Sequence, residues 1–409
     1  MRPPLLQETD ETLRRHAERT GDELRDAVEA LLADLAGRGL RDQRALREAL
    51  GLSQPVVSRL LTAVRRGDPL GTLGALPGPE ALRQMVRGAA RSGVEAGCVA
   101  RVDRAVSGFE GFLSDTVGSR STLDAMLSDW SHESRGAFEL RHKSAAFKAM
   151  SALRGVRADL ILNAAIVHPS TLGPAVYDSI GLDALLGCRR LRPRAELRLV
   201  GWQMPPADSG FVISNLGGGP IAATGDMLLP EFSSVPGERL ATRLHRGSFE
   251  TIVSGLPLGE AGVQGEDLVC AQLYRGLQRA RRGDGPPSSG VAGQAEPPCE
   301  TFVVDALLHP DAWPGIAPEV RIFDTVVRGI AHPDDASRQG DRLELQETAH
   351  YLGTGPDAFR LPEFPRYPEL VRHACERAGW DADLLRGWRC RVRHPIHGSQ
   401  IGLAFGLME

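Results

Sequence analysis

The hydrophobic period of this 409-residue chain changes once, near Val156, and that change constrains the fold more than any other feature. Upstream, apolar residues recur at the three- and four-residue spacing of helices buried along one side. Downstream they come in short runs or alternate, punctuated by glycine and proline, as strands do. The pattern predicts an α+β, multidomain chain in three parts. These are a three-helix unit over residues 1–70, a helical linker or dimerisation region over 71–155, and a strand-rich α+β region over 156–409. The last part divides into lobes at 156–280 and 300–409 if the Gly/Pro/Ser-rich run 281–299 is a linker.

The N-terminal unit is read as follows. Residues 1–19 are polar and predicted to be a loose lead-in, after which Thr20 and Glu23 form a capping box. Leu24, Val28, Leu31, Leu32 and Leu35 then share one helical face that ends at Gly37 and Gly39. Leu40–Arg66, LRDQRALREALGLSQPVVSRLLTAVRR, reads as two short helices joined at Gly51. Leu46 and Leu50 line the first, and Leu52 closes the turn. Ser53 is expected to N-cap the second through its side chain, with Pro55 in the first turn, where a missing N–H costs little. Val57, Leu60, Leu61 and Val64 form the inner stripe, and Gln54, Ser58, Arg59, Thr62, Arg65 and Arg66 form the outer one. Residues 38–66 hold seven arginines against Asp42 and Glu48, so 7 − 2 gives +5 in a chain of net charge −4. A basic segment in an acidic protein is the electrostatic footprint of a DNA reader.

LREALGLSQPVVSRLL resembles the helix-turn-helix of bacterial transcription regulators, over roughly 25 residues of the chain. The resemblance implies that the second helix enters the major groove of double-stranded DNA. Gln54, Ser58 and Arg59 would then meet base edges, with Ser53 and Thr62 beside them. Arg65, Arg66 and, on the first helix, Arg44 would reach the backbone. It also implies a homodimer whose two readers lie one DNA turn apart, about 34 Å. The remainder of the chain would sense a small-molecule or anionic effector or bind a partner. Competing readings are a helical hairpin used only for packing, or one used for protein recognition.

Farther along, Pro79 opens a helix, and Val99, Val102, Val106, Phe109 and Leu113 follow a nearly heptad spacing. That stripe is either internal core, the commoner outcome, or a dimer seam. Ser121 caps a further helix, and another covers Phe138–Leu153. Strands are predicted at 160–167, 195–200, 211–214, 251–253, 268–273, 302–308, 320–327, 343–347, 388–392 and 401–405, with a helix over Tyr367–Gly379. ILNAAIVHPSTLGP (161–174) and VVDALLHPDAWPG (303–315) echo one another, each followed by a basic alternating strand, although His-Pro recurs at 332–333 and 394–395 and chance is the better explanation.

Composition and motifs exclude more than they assign. The six cysteines, at 98, 188, 270, 299, 375 and 390, lack CxxC spacing, which argues against a disulfide scaffold. No signal-peptide run and no long apolar span is present, so a cytoplasmic protein with no membrane partner is expected. Gly217–Pro220 lacks the Lys of a phosphate loop and reads as a turn. Cys390, His394 and His397 are too few for a structural zinc site, with Pro395 interrupting them. GxSxG and kinase-type loops are absent, and Asp334-Asp335 reads as a solvated turn. No catalytic residue, metal or cofactor is assigned. Arginine clusters at 189, 190, 192, 194 and 198, and at 275, 279, 281 and 282, read as solvated faces balanced by acids. Two other classes remain. An enzyme with a DNA-binding domain would be marked by a polar pocket with perturbed carboxylates in 155–409. A phage or defence-system structural protein would keep its assembly without DNA binding.

Overall fold

The buried positions of the first helix run Ala17, Thr20, Leu24, Ala27, Val28, Leu31 and Leu35, with Leu13 packed against them. That spacing carries the helical stripe well upstream of Thr20. The computed structural model accordingly has one 34-residue helix, α1 (Pro4–Gly37), where a lead-in and a cap were expected. Thr20 is mid-helix and donates its hydroxyl hydrogen bond to the His16 carbonyl. The structure describes residues 4–130, 132–173, 176–203, 210–245, 248–260, 262–278, 290–312, 317–331 and 335–405.

The chain is α+β, with helices first and strands after, and it forms two units, 1–139 and 140–409. The first holds α2 (Gln43–Leu50), α3 (Gln54–Val64), α4 (Pro69–Ala75), α5 (Pro79–Arg91), α6 (Ala96–Gly111) and α7 (Arg120–Trp130). A π-helical turn at Phe112–Val117 extends α6, and α8 (His132–Arg154) crosses into the second unit. One core joins Leu24, Leu50, Leu60, Leu73, Met85, Val106 and Leu127. The helices expected to read DNA therefore share their interior with those expected to link or dimerise. Glycine permits two close crossings. A Cβ on Gly21 would lie 2.3 Å from the Pro69 carbonyl oxygen, and one on Gly88 would lie 2.3 Å from that of Leu50.

In the second unit a seven-stranded sheet has the order β11 (Ala349–Thr354), β12 (Arg386–Arg393), β9 (Cys299–Leu308), β1 (Val156–Pro169), β2 (Val176–Arg190), β7 (Glu266–Gln278), β4 (Val212–Asn215). Its neighbours run antiparallel except the central pair β1 and β9. One face carries Ile161, Phe302 and Val304 against two three-stranded sheets. These are β10 (Glu319–Phe323)–β13 (Gln400–Ala404)–β8 (Gly290–Gln294) and β3 (Leu197–Gln203)–β6 (Ser248–Val253)–β5 (Leu240–His245). The other face carries Leu160, Leu162, Val303 and Leu307 against α9 (Tyr367–Ala378). Burial on both faces is why β1 and β9 read as continuous apolar runs. The buried pair Asp305 and Arg389, joined at 2.8 Å through Nε and Nη2, ties β9 to β12, and Arg389 also donates to the Phe359 and Arg360 carbonyls.

The two echoed segments lie side by side, Ile161 opposite Phe302 and Val167 opposite Leu308. At the ends of these strands the rings of His168, in β1, and His309, just after β9, are 4.6 Å apart. Pro174 and residues 313–315 of the echo lie outside the described residues. So do 281–289 of the expected linker, but its remainder contains β8 and the start of β9 rather than a loose connection. Residues 343–347, expected as a strand, are irregular.

Candidate functional site

Asp42 N-caps α2 by accepting the Ala45 N–H at 2.8 Å, and Gly51 ends that helix at φ 68°, a left-handed conformation suited to glycine. Ser53 occupies the extended N-cap position of α3, but its hydroxyl makes no capping bond, contrary to expectation. Val57, Leu60 and Ala63 are the buried side of α3, and Leu61 and Val64 pack partly buried beside them. The turn is held from α5, where Gln84 donates to the Gly51 carbonyl and Ser92 to that of Ala49 at 2.9 Å.

Gln54, Ser58, Thr62 and Arg65 are exposed, as is Ser53. At 100° per residue Gln54, Ser58 and Thr62 of α3 and its C-cap Arg65 occupy an arc of roughly 80°. Thr62 donates its hydroxyl to the Ser58 carbonyl at 2.9 Å. Arg59 stands roughly 60° outside the arc, and its guanidinium bonds the Ala75 carbonyl at 3.2 Å and that of Leu76 at 3.0 Å. Arg66 is half-buried, and Arg44 is exposed and paired with Glu48 at 3.2 Å. No wing follows α3. The residues after Arg66 instead form α4, N-capped by Asp68. Arg91 of α5 was missed, although its guanidinium lies beside Gly51. Forty residues separate the two, and nothing in either stretch announces the contact.

The second feature is a cavity of about 320 Å³ between the main sheet and the small sheets. Its floor is Asn163 of β1, Asp183 of β2, and Gln272 and Tyr274 of β7; Ile161, Leu185, Met227, Phe249 and Leu268 give apolar walls. Asn163 and Gln272 donate their amide N–H groups to the two carboxylate oxygens of Asp183, the latter at 3.1 Å. Protein surrounds Asp183, which keeps only part of its surface open, and burial pushes its carboxyl above the usual carboxylate range against those two bonds. Gly293 of β8 crosses directly over Asn163, where a Cβ would stand 1.9 Å from Oδ1. Thr224, Thr242 and Thr251 form a hydroxyl chain at one side, Thr242 and Thr251 being 3.1 Å apart. The described lining contains no histidine, serine, lysine or arginine.

Elsewhere the arginine clusters are largely engaged. Arg189 pairs with Asp159, Arg190 bonds the Leu256 carbonyl at 2.8 Å, Arg192 that of Leu153 at 2.6 Å, Arg198 pairs with Glu196, and Arg275 with Asp178. Arg279, Arg281, Arg282, residues 332–333 and Asp334 lie outside the described residues. Cys390 is enclosed in the core, and no group of three metal-ligating side chains occurs among the described residues.

No family model matches the chain, and no curated protein does. Among solved structures, a proposed protease from Parabacteroides distasonis ATCC 8503 aligns at TM-score 0.25 and 8% identity, over 61% of this chain and 40% of that one. No described helix is long and apolar enough to cross a membrane.

Proposed function

We propose that this chain is a cytoplasmic DNA-binding transcriptional regulator, acting as a homodimer, in which α2 and α3 are a helix-turn-helix and the strand-rich unit senses a ligand or partner. The supporting observation is the arc Gln54, Ser58, Thr62 and Arg65, exposed together on a helix that follows a left-handed glycine turn within a +5 segment. Gln54 is at the helix N-terminus, where recognition helices meet base edges, and its amide suits the N6/N7 edge of adenine. Arg65 lies at the far end, within reach of phosphate.

Affinity measured against salt tests this. Each neutralised phosphate contributes about −0.9 to the slope of log affinity on log salt, so a dimer with about eight contacts gives roughly −7. Arg65→Ala should shallow it by about one unit per subunit. Salt-insensitive binding would rule out the basic segment as the reader. The cavity favours a second reading, catalysis by the strand-rich unit, through the Asp183 carboxyl alone. Against it, burial holds the Cys270 thiol well above its ordinary range, which disfavours the thiolate a nucleophile would need.

A further inference from the structure

Asn163 and Gln272 leave a deficit that the fold does not make good. Both amides spend N–H donors on Asp183, and the oxygens at their other ends, Asn163 Oδ1 and Gln272 Oε1, are buried with no hydrogen-bond partner. Gln272 is only 5% exposed, so water does not relieve it from outside. Flipping either amide would set oxygen against carboxylate oxygen while Asp183 is ionised. The two amide oxygens are closed to the cavity as well as to solvent, so what the open part of the cluster lacks is positive charge beside Asp183. Unpaired buried acceptors are costly, so such a cluster calls for a physical explanation.

The surroundings say what kind of group would supply the deficit. The described lining holds two carboxyl groups, Asp183 and Glu296, and no cationic side chain. Glu296 is already paired with Arg154 at 2.7 Å, which leaves Asp183 as the acid without a cationic partner in the lining. An anion would meet like charge here with no guanidinium to receive it. Above the floor, Met227, Phe249 and Leu268 offer an apolar wall. A volume of about 320 Å³ suits a small molecule rather than a peptide or nucleic acid.

We propose that this cavity binds a small organic amine, its ammonium donating to Asp183 and its apolar body lying against Phe249, Met227 and Leu268. An ammonium brings donors and a full positive charge to Asp183, the lining acid that is partly open and has no cationic partner there. The inference rests on the second unit alone and stands whether or not α3 reads DNA.

Saturation-transfer NMR on the full chain at neutral pH, with phenethylamine, phenylethanol and phenylpropionate as matched probes, tests it. The expected result is transfer to phenethylamine, with affinity for the alcohol and the carboxylate at least about tenfold weaker. Asp183→Asn, which keeps the volume and removes the charge, should abolish the preference for the amine. Leu199→Trp, which enlarges a partly buried side chain of the lining from β3, should abolish all transfer and serves if Asp183→Asn does not fold. Equal binding of alcohol or carboxylate, no transfer to any probe, or an amine signal that survives either variant would overturn the proposal.

Discussion

Arg59 donates through Nε and Nη2 to the carbonyls that close α4, and this commitment separates it from its neighbours on α3. Removing it leaves two helix-end carbonyls without their partner, at about 1 kcal/mol of stability. Arg59→Ala should therefore lower the melting temperature and weaken binding to cognate and scrambled duplexes in the same proportion. Gln54→Ala touches no such contact. It should leave the melting temperature unchanged and cost about 1–3 kcal/mol on the cognate duplex alone. Thermal melts and fluorescence anisotropy on both duplexes distinguish the two. A loss confined to cognate DNA for Arg59→Ala would mean that this arginine leaves α4 on binding and reads a base.

At the scale of elements, those that obey a single period were legible. Val57, Leu60 and Leu61 define α3, the apolar runs define β1 and β9, and Tyr367 to the left-handed Gly379 defines α9. Elements whose polar residues serve a site were not. β2 escaped because Asp178, Gly181, Asp183 and Gly187 interrupt its apolar pattern, and Asp183 is there to face the cavity. The cavity was illegible for the same reason, since its floor joins residues 163, 183 and 272 through strand register alone. The exposed arc of α3 could be read from periodicity, but the fate of Arg59 could not, because it depends on where α4 ends. The crossing of α2 and α5 is likewise invisible in sequence and gives a test. Gly88→Ala would drive a methyl into the backbone of Leu50, with Cα at 2.5 Å and the carbonyl oxygen at 2.3 Å, where no rotamer can yield. The expected cost is about 1–3 kcal/mol, with DNA affinity falling as the hairpin is displaced. Urea unfolding of the variant measures it, and an unchanged midpoint would contradict so close a crossing.

At the scale of the molecule, the single core of the first unit fixes what a homodimer can use. Val102, Val106 and Phe109 are 1%, 0% and 0% exposed within one chain, and Leu113 is 8% exposed, so the heptad-like stripe is already covered apart from Val99, which is half-buried. Any seam between copies must lie on another surface. Val106→Glu discriminates between a covered stripe and an open one. In the enclosed core its carboxylate would have neither water nor a cation, a penalty of more than about 3 kcal/mol in a fold whose whole margin is about 5–15 kcal/mol. The same core carries Leu50 and Leu60 of the helix pair, so losing it removes the proposed DNA-reading surface as well. Val106→Glu should therefore yield insoluble protein, or a soluble chain with reduced helical circular dichroism and no DNA binding at any salt concentration. If size-exclusion chromatography instead returns a folded monomer with full helical signal and weakened operator binding, the stripe is a seam between chains, and the internal packing assigned to α6 is wrong.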